Sequence, residues 1–318
     1  MAARRRRGHR PRNAAMSSQQ AKLHATKSSW VRTIREAVTA RGDGFVRTAT
    51  MQEKETPATG DGTWEEPTRS SARLRAWLYR DVHVRSQGSV SSFLGYGALP
   101  VSTTLLKATV RTSGWQLVTG RLVHPQRSLS LATRDSSQDG FTHANGTVDL
   151  PRLRCGTAPG WLTIAGLNGE ISRKCHRLYF PGVGLGKIEA LVHELDSSPT
   201  RVTWSLKSSV GVDRGGVEVP RADRTVLYVE IPDRPTGLGI SGLLNALATH
   251  ASAAAGPGFS VELRPGIHFG GHGNEHGSFG TRIASIAAEA LLSNNYSSVE
   301  RAERHLQEKA RRFEGGEE

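Results

Sequence analysis

Cys175-His176-Arg177-Leu178-Tyr179-Phe180 alternates polar with apolar side chains, the period-two pattern of a strand with two unlike faces. Pro181-Gly182-Val183-Gly184-Leu185-Gly186 breaks that pattern. Leu185, Ile188, Leu191, Val192 and Leu195 then recur at helical spacing and stop before Ser197-Ser198-Pro199. Arg201-Val202-Thr203-Trp204-Ser205-Leu206-Lys207 alternates again, with Arg201, Thr203, Ser205 and Lys207 on one parity. The unit from Arg173 to Lys207 therefore reads strand, glycine turn, helix, strand. A crossover helix implies two parallel strands of one sheet. In that arrangement Arg177, Tyr179 and Lys207 can converge on a single polar surface, in a register the sequence alone does not fix.

Outside this unit the chain divides by composition. It has 318 residues, an apolar fraction of 36%, 35 glycines and a net charge of +13, which describes a folded part diluted by loops and tails. Residues 1–50 hold twelve Lys/Arg against two Asp/Glu, a surplus of ten, which leaves +3 for 51–318. The basicity thus belongs to an amino-terminal arm, with Arg4-Arg5-Arg6-Arg7, Arg10 and Arg12 at its head. Such a run can grip nucleic acid, a membrane surface or an acidic peptide. No aromatic residue interleaves with it for stacking, so a solvated tail is the preferred reading and nucleic acid is not the expected partner. Met16 is an alternative start. No apolar run suits a signal peptide or membrane span, and Cys155 and Cys175 suggest no disulfide framework. The expected setting is cytoplasmic, with no membrane partner.

Taken in order, residues 1–70 read as the basic, largely disordered arm and a linker, with a helix possible over 18–40 through Leu23, Trp30, Val31, Ile34 and Val38. Residues 71–168 read as a smaller helical and antiparallel subdomain. It opens with a helix from Ser71 to Val84 that buries Leu74, Trp77, Leu78 and Val82, and continues in short strands. Over 169–295 strand and helix alternate. Thr225-Val226-Leu227-Tyr228-Val229 is apolar on both parities, as in a strand covered on both faces. Helices follow over Leu238–Ala254 and Phe279–Leu292, with a short strand from Phe259 to Leu263 between them. A charged helix and tail close the chain over 296–318. The fold class is α+β, with a mixed sheet in the carboxy-terminal half.

Three motifs imitate known sites. Gly182-Val183-Gly184-Leu185-Gly186-Lys187 opens a helix as a phosphate-binding loop does, but it is one residue short, and Ile188 stands where a metal-binding hydroxyl is required. Its amides remain a modest anion nest. Gly237-Leu238-Gly239-Ile240-Ser241-Gly242 matches a dinucleotide fingerprint, yet five residues separate it from the preceding strand and it falls late in the chain. His268, His272 and His276 recur every four residues, but Gly270, Gly271, Gly273 and Gly277 argue against the helix that would stack them for a metal. A glycine-rich loop, catalytic or merely solvated, is the expectation there. The remaining signal is cationic: Arg177, Lys207, Arg221, Arg224 and Arg282. Each is a surface charge when taken singly. Together they suit a dianionic phosphate.

Four blocks carry a family resemblance: Arg177-Leu178-Tyr179-Phe180, the strand ending at Lys207, Arg221-Ala222-Asp223 leading into Val226-Leu227-Tyr228-Val229, and Ser278-Phe279-Gly280-Thr281-Arg282 opening an alanine-rich helix. In their order and spacing the segment from Ser172 to Leu292 resembles the HopA-type effector family. Its biosynthetic members act as lyases in class V lanthipeptide and thioamitide pathways. Gly114-Trp115-Gln116-Leu117-Val118 and the Leu78-Tyr79 helix look similar to the family's amino-terminal half. The family has Glu directly before Ser-Phe-Gly, where this chain has Gly277, with Glu275 and His276 displaced.

The resemblance implies elimination of phosphate from phosphoserine or phosphothreonine in a precursor peptide, leaving dehydroalanine or dehydrobutyrine. A separate aminoglycoside-phosphotransferase-like kinase installs the phosphate, and neither metal nor organic cofactor is implied. An α-proton must be taken by a base and the leaving phosphate must be neutralised and protonated. Lys207 is the expected base, since nearby arginines favour its neutral amine. Tyr179 is the expected acid, with His176 and His272 in reserve, and Arg177, Arg221, Arg224 and Arg282 hold the phosphate. The alternative is a non-catalytic subunit that binds the leader peptide or the kinase.

Overall fold

In the computed structural model the described residues are 29–41, 44–47, 70–86, 88–119, 121–124, 129–132, 147–155, 160–168, 171, 175–198, 202–230, 239–273 and 278–292, with 304 and 308. The arginine run of the arm, His276 and most of the expected last helix lie outside them.

Alternating apolar residues make the strands, and their two parities make two cores. Strands β9 (Leu153–Cys155), β10 (Trp161–Ala165), β11 (Cys175–Tyr179), β12 (Trp204–Ser209), β14 (Thr225–Glu230), β15 (Val261–Arg264) and β16 (Ile267–Gly273) form one seven-stranded sheet, in the order β15-β16-β11-β14-β12-β10-β9. One parity contributes Leu178, Leu206, Leu227 and Val229 to a core beneath α4 (Ile188–Ser197) and α5 (Gly239–Ala248). The other contributes Tyr179, Val226 and Tyr228 to a core beneath α1 (Ser29–Ala37), α2 (Ser71–Trp77) and α6 (Phe279–Leu292). β14 is central and buried on both faces, as its continuous apolar run requires.

The α+β class is the one the sequence implies, but every pairing in this sheet is antiparallel rather than mixed. The reason lies in β14. It inserts between β11 and β12 and runs against both, so these two strands are parallel to each other without touching. A polar pair on one side of β14 therefore faces the same way as a polar residue on the other.

The helices over the site face are set by local chemistry. Ser70 caps α2 by accepting from Arg73 N at 3.3 Å, and the helix continues as a π turn over Leu78–Val84. Leu74, Trp77, Leu78 and Val82 are buried, the stripe read from the sequence. Ser278 caps α6 through Thr281 N at 3.4 Å. Ala284, Ala287, Ala288 and Ala290 of α6 are fully buried, small enough to bring that helix close to its neighbours.

Residues placed amino-terminal by the sequence share this body. α1 buries Trp30, Val31, Ile34 and Ala37 in the site-face core, and β9 and β10 complete the main sheet. A hairpin of β1 (Val38–Arg41) and β2 (Gly44–Arg47) occupies the start of the expected linker. Smaller antiparallel units lie around the sheet: β4 (Thr109–Ser113) with β8 (Thr147–Pro151), β5 (Gln116–Val118) with β6 (Arg121–His124) and β7 (Leu129–Ala132), and β3 (Ser92–Phe93) with β13 (Gly211–Val212). Leu105 lies in the short helix α3 (Thr103–Lys107). Ser102 caps it by accepting from Leu105 N at 3.2 Å.

Candidate active site

Register brings the predicted site residues to one face. Tyr179 and Lys207 are both opposite Val226, and Arg177 and Ser205 are both opposite Tyr228. Thr163 stands beyond Lys207, and Arg154 beyond Thr163. Tyr179 and Lys207 are thus level, two strand spacings or about 10 Å apart. Trp161, opposite Ser209 on β10, is the diagonal neighbour of Lys207 on the pleat. Lys207 is half-buried.

Arg177 and Tyr179 are sealed, each 3% exposed. The Arg177 guanidinium lies 5.2 Å from the centre of the Tyr228 ring and 5.8 Å from that of Phe279. Burial works against this cation, but Tyr228, Tyr179 and Cys175 outweigh it and hold its pKa above the usual value. Burial drives the Tyr179 phenol far above the ordinary range. The backbone of β16 passes directly over its ring: a Cβ on Gly270 would lie 2.4 Å from Tyr179 Cε2 and 3.0 Å from its hydroxyl.

A second arginine and tyrosine lie on the open side. Arg221 grips Asp223 with two bonds, Nε to Oδ1 at 2.5 Å and one terminal nitrogen to Oδ2 at 3.0 Å. Its guanidinium sits 4.8 Å from the centre of the Trp161 ring. From the π turn the half-buried Tyr79 comes under the electrostatic influence of Arg221, Asp223 and Ser278. Burial and then Asp223 raise the Tyr79 pKa, while Arg221 and Ser278 oppose them.

His83, one turn after Tyr79, is 1% exposed. Its ring stacks on Phe259 at 4.9 Å and meets Tyr179 edge-on at 5.9 Å. Burial, then Arg177, Arg221 and Arg85, push its pKa down to about 3, so the imidazole is neutral. Its Nδ1 is buried without a hydrogen-bond partner. Gly280 of α6 lies against the ring, where a Cβ would come within 2.0 Å of Cδ2. Tyr79, His83 and Asp223 were not among the site residues expected from the sequence. A helix more than ninety residues before β11 carries the first two, and only their spacing of four on that helix signals a shared direction.

Other predicted residues are placed elsewhere. His176 has the opposite parity from Arg177; it pairs with Val229 and lies 5.8 Å from the Phe269 ring, on the far side of the sheet. A reserve acid cannot act through the sheet. His272 is the residue paired with His176 across β16. Over its described part, His268 to Gly273, the expected glycine-rich loop is this strand. Its glycines answer to packing, Gly270 to the Tyr179 ring, while His268 turns Nε2 toward Ala254 O at 3.2 Å. Arg224 forms an ion pair with Glu218 beside Gly184, at the start of the turn into α4. The same carboxylate meets Leu185 N at 3.5 Å, so the expected anion nest faces a carboxylate of the chain itself. Arg282 is half-buried three residues after Phe279 in the first turn of α6. Gly237 and Leu238 of the dinucleotide-like run lie outside the described residues, and the run's later part is helix α5.

Neither a protein-family model nor a curated protein sequence matches the chain. Two effector proteins from Pseudomonas syringae are similar among solved structures. The one from pathovar syringae strain 61 aligns over 91% of this chain and 94% of its own, at 11% identity and a TM-score of 0.35. The one from pathovar tomato strain DC3000 aligns over 86% and 88%, at 9% identity and a TM-score of 0.33. Among the described residues no helix is long and apolar enough to cross a membrane.

Proposed function

We propose that the chain is a carbon–oxygen lyase. It eliminates phosphate from phosphoserine or phosphothreonine of a ribosomal precursor peptide, in lanthipeptide or thioamitide biosynthesis in the cytoplasm. The peptide is phosphorylated beforehand by an aminoglycoside-phosphotransferase-like kinase. The observation that supports this most is the placing of Lys207: half-buried on a sheet face, beside Trp161, over which Arg221 is fixed. Elimination from a phosphorylated residue needs an amine near the α-carbon and a fixed guanidinium near the departing anion. Arg221 and Arg282 serve the phosphate. Arg177 contributes its positive charge from behind the ring of Phe279, and Arg224 belongs to Glu218.

The test is direct. The purified full chain, mixed with a synthetic peptide carrying one phosphothreonine and given no ATP, is expected to release phosphate and leave a dehydro residue that adds thiols. An unchanged peptide mass would overturn the proposal. A binding-only role for leader peptide or kinase is the second reading. It is favoured by the exposed Val90, Phe93 and Val217 around the β3–β13 ribbon. It predicts peptide affinity that survives Lys207→Ala, with no turnover by the wild type.

A further inference from the structure

On that lyase reading, we propose that Tyr79 is the acid: its phenol protonates the departing phosphate oxygen while Lys207 takes the α-hydrogen. Three tyrosines approach the cluster among the described residues, and Tyr228, 6% exposed beneath Arg177, is as closed to a substrate as Tyr179. Tyr179 is 3% exposed beneath the backbone of Gly270. Tyr79 is half-buried on the open side, where Arg221 lies over Trp161 next to Lys207.

An acid needs its conjugate base to be stabilised in place. Arg221 and Ser278 both favour the ionised form of the Tyr79 phenol, and the Arg221 guanidinium is held in place over the Trp161 ring. Guanidinium carries five N–H groups. Asp223 takes two of them, which aligns the fork and leaves others for an incoming anion. Burial and Asp223 meanwhile keep the hydroxyl protonated until it is needed.

The step balances. Lys207 Nζ takes the proton from Cα, the C–H electrons become the second bond between Cα and Cβ, and the Cβ–O bond breaks with its pair going to phosphate. That oxygen takes the Tyr79 proton and leaves as hydrogen phosphate. Water then removes the proton from the ammonium and restores the phenol.

A leaving group that needs no proton separates this role from a structural one. O-sulfothreonine has the tetrahedral shape of phosphothreonine, but sulfate departs as a weak base. Tyr79→Phe is expected to lower kcat on the phosphothreonine peptide by about 100-fold or more. KM should change little, and turnover of the sulfated peptide should stay within about threefold of wild type. Ser278→Ala, which removes a hydroxyl that favours the phenolate and with it the cap of α6, is expected to cost about tenfold on the phosphopeptide and, if the cap alone matters, equally on the sulfated one.

A Tyr79→Phe protein that turns over phosphopeptide at the wild-type rate, or loses both substrates equally, overturns the assignment. So does Tyr179→Phe abolishing phosphate elimination while Tyr79→Phe does not. If the wild type ignores the sulfated peptide, the alkaline limb of its pH–kcat profile decides. Its absence from Tyr79→Phe supports the role and its persistence overturns it. Wild-type inactivity toward the phosphopeptide sinks the lyase reading itself.

Discussion

Two arginine–tyrosine pairs serve the same sheet face and live under opposite conditions. Arg177 and Tyr179 come from one strand, alternate residues of the same parity, and are closed over by Phe279 and Gly270. Arg221 and Tyr79 come from a loop and a helix, and remain partly open. The sealed guanidinium is held by ring faces and phenols, the open one by a carboxylate in a two-bond fork. Rings hold a cation without offering a place for a competing anion. A forked carboxylate orients the group and leaves N–H bonds to spare. The difference teaches that residue type marks where charge is wanted, while the covering layer decides whether that charge is scaffold or reagent.

The largest expected effect lies on the open side. Lys207→Ala should lower turnover of a phosphothreonine peptide by about a hundredfold or more, while the thermal midpoint moves little. A large fall in the midpoint instead would class Lys207 with the sealed pair.

His83→Phe tests the sealed side through pH. A neutral buried imidazole whose folded pKa is about 3, against 6.5 ordinarily, gives full stability above pH 6.5. Below that the unfolded chain binds a proton the folded chain refuses, so stability falls as pH drops toward 3. The slope is at most about 1.4 kcal/mol per pH unit. Urea unfolding at a series of pH values should show this slope in the wild type and its loss in His83→Phe; equal slopes would mean the ring is not sealed.

Gly280→Ala should destabilise by about 1–3 kcal/mol through overpacking, because the new methyl would meet the His83 ring. An unchanged midpoint would show that the ring can retreat. The smallest effect is Gly242→Ala in α5, where nothing lies within 4 Å of the added Cβ. There the gain in helix propensity should stabilise by about 0.5–1 kcal/mol.

Much of this was legible wherever a pattern is local. The Thr225–Val229 run gave away a strand buried on both sides, and parity within each strand grouped Arg177 with Tyr179 and singled out Lys207, while the register that sets them on one face could not be read. The same alternation already turns His176 away from them. Insertion of β14 between β11 and β12 could not be read, since no local pattern records which strand arrives between two others. β16 was missed because its glycines look like loop chemistry, whereas Gly270 is small to admit the Tyr179 ring from another strand. Tyr79 and His83 were missed for the same reason. Their value comes from Arg221, Ser278 and Phe259, far along the chain.

The π turn from Leu78 to Val84 closes its hydrogen bonds five residues apart rather than four, so it stores surplus length. Losing one residue between Tyr79 and His83 would let the coil tighten to an ordinary α turn and change the angle between these two side chains. Tyr79 and His83 would then point to different neighbours. This segment should tolerate exchanges of residue identity better than any change in their number.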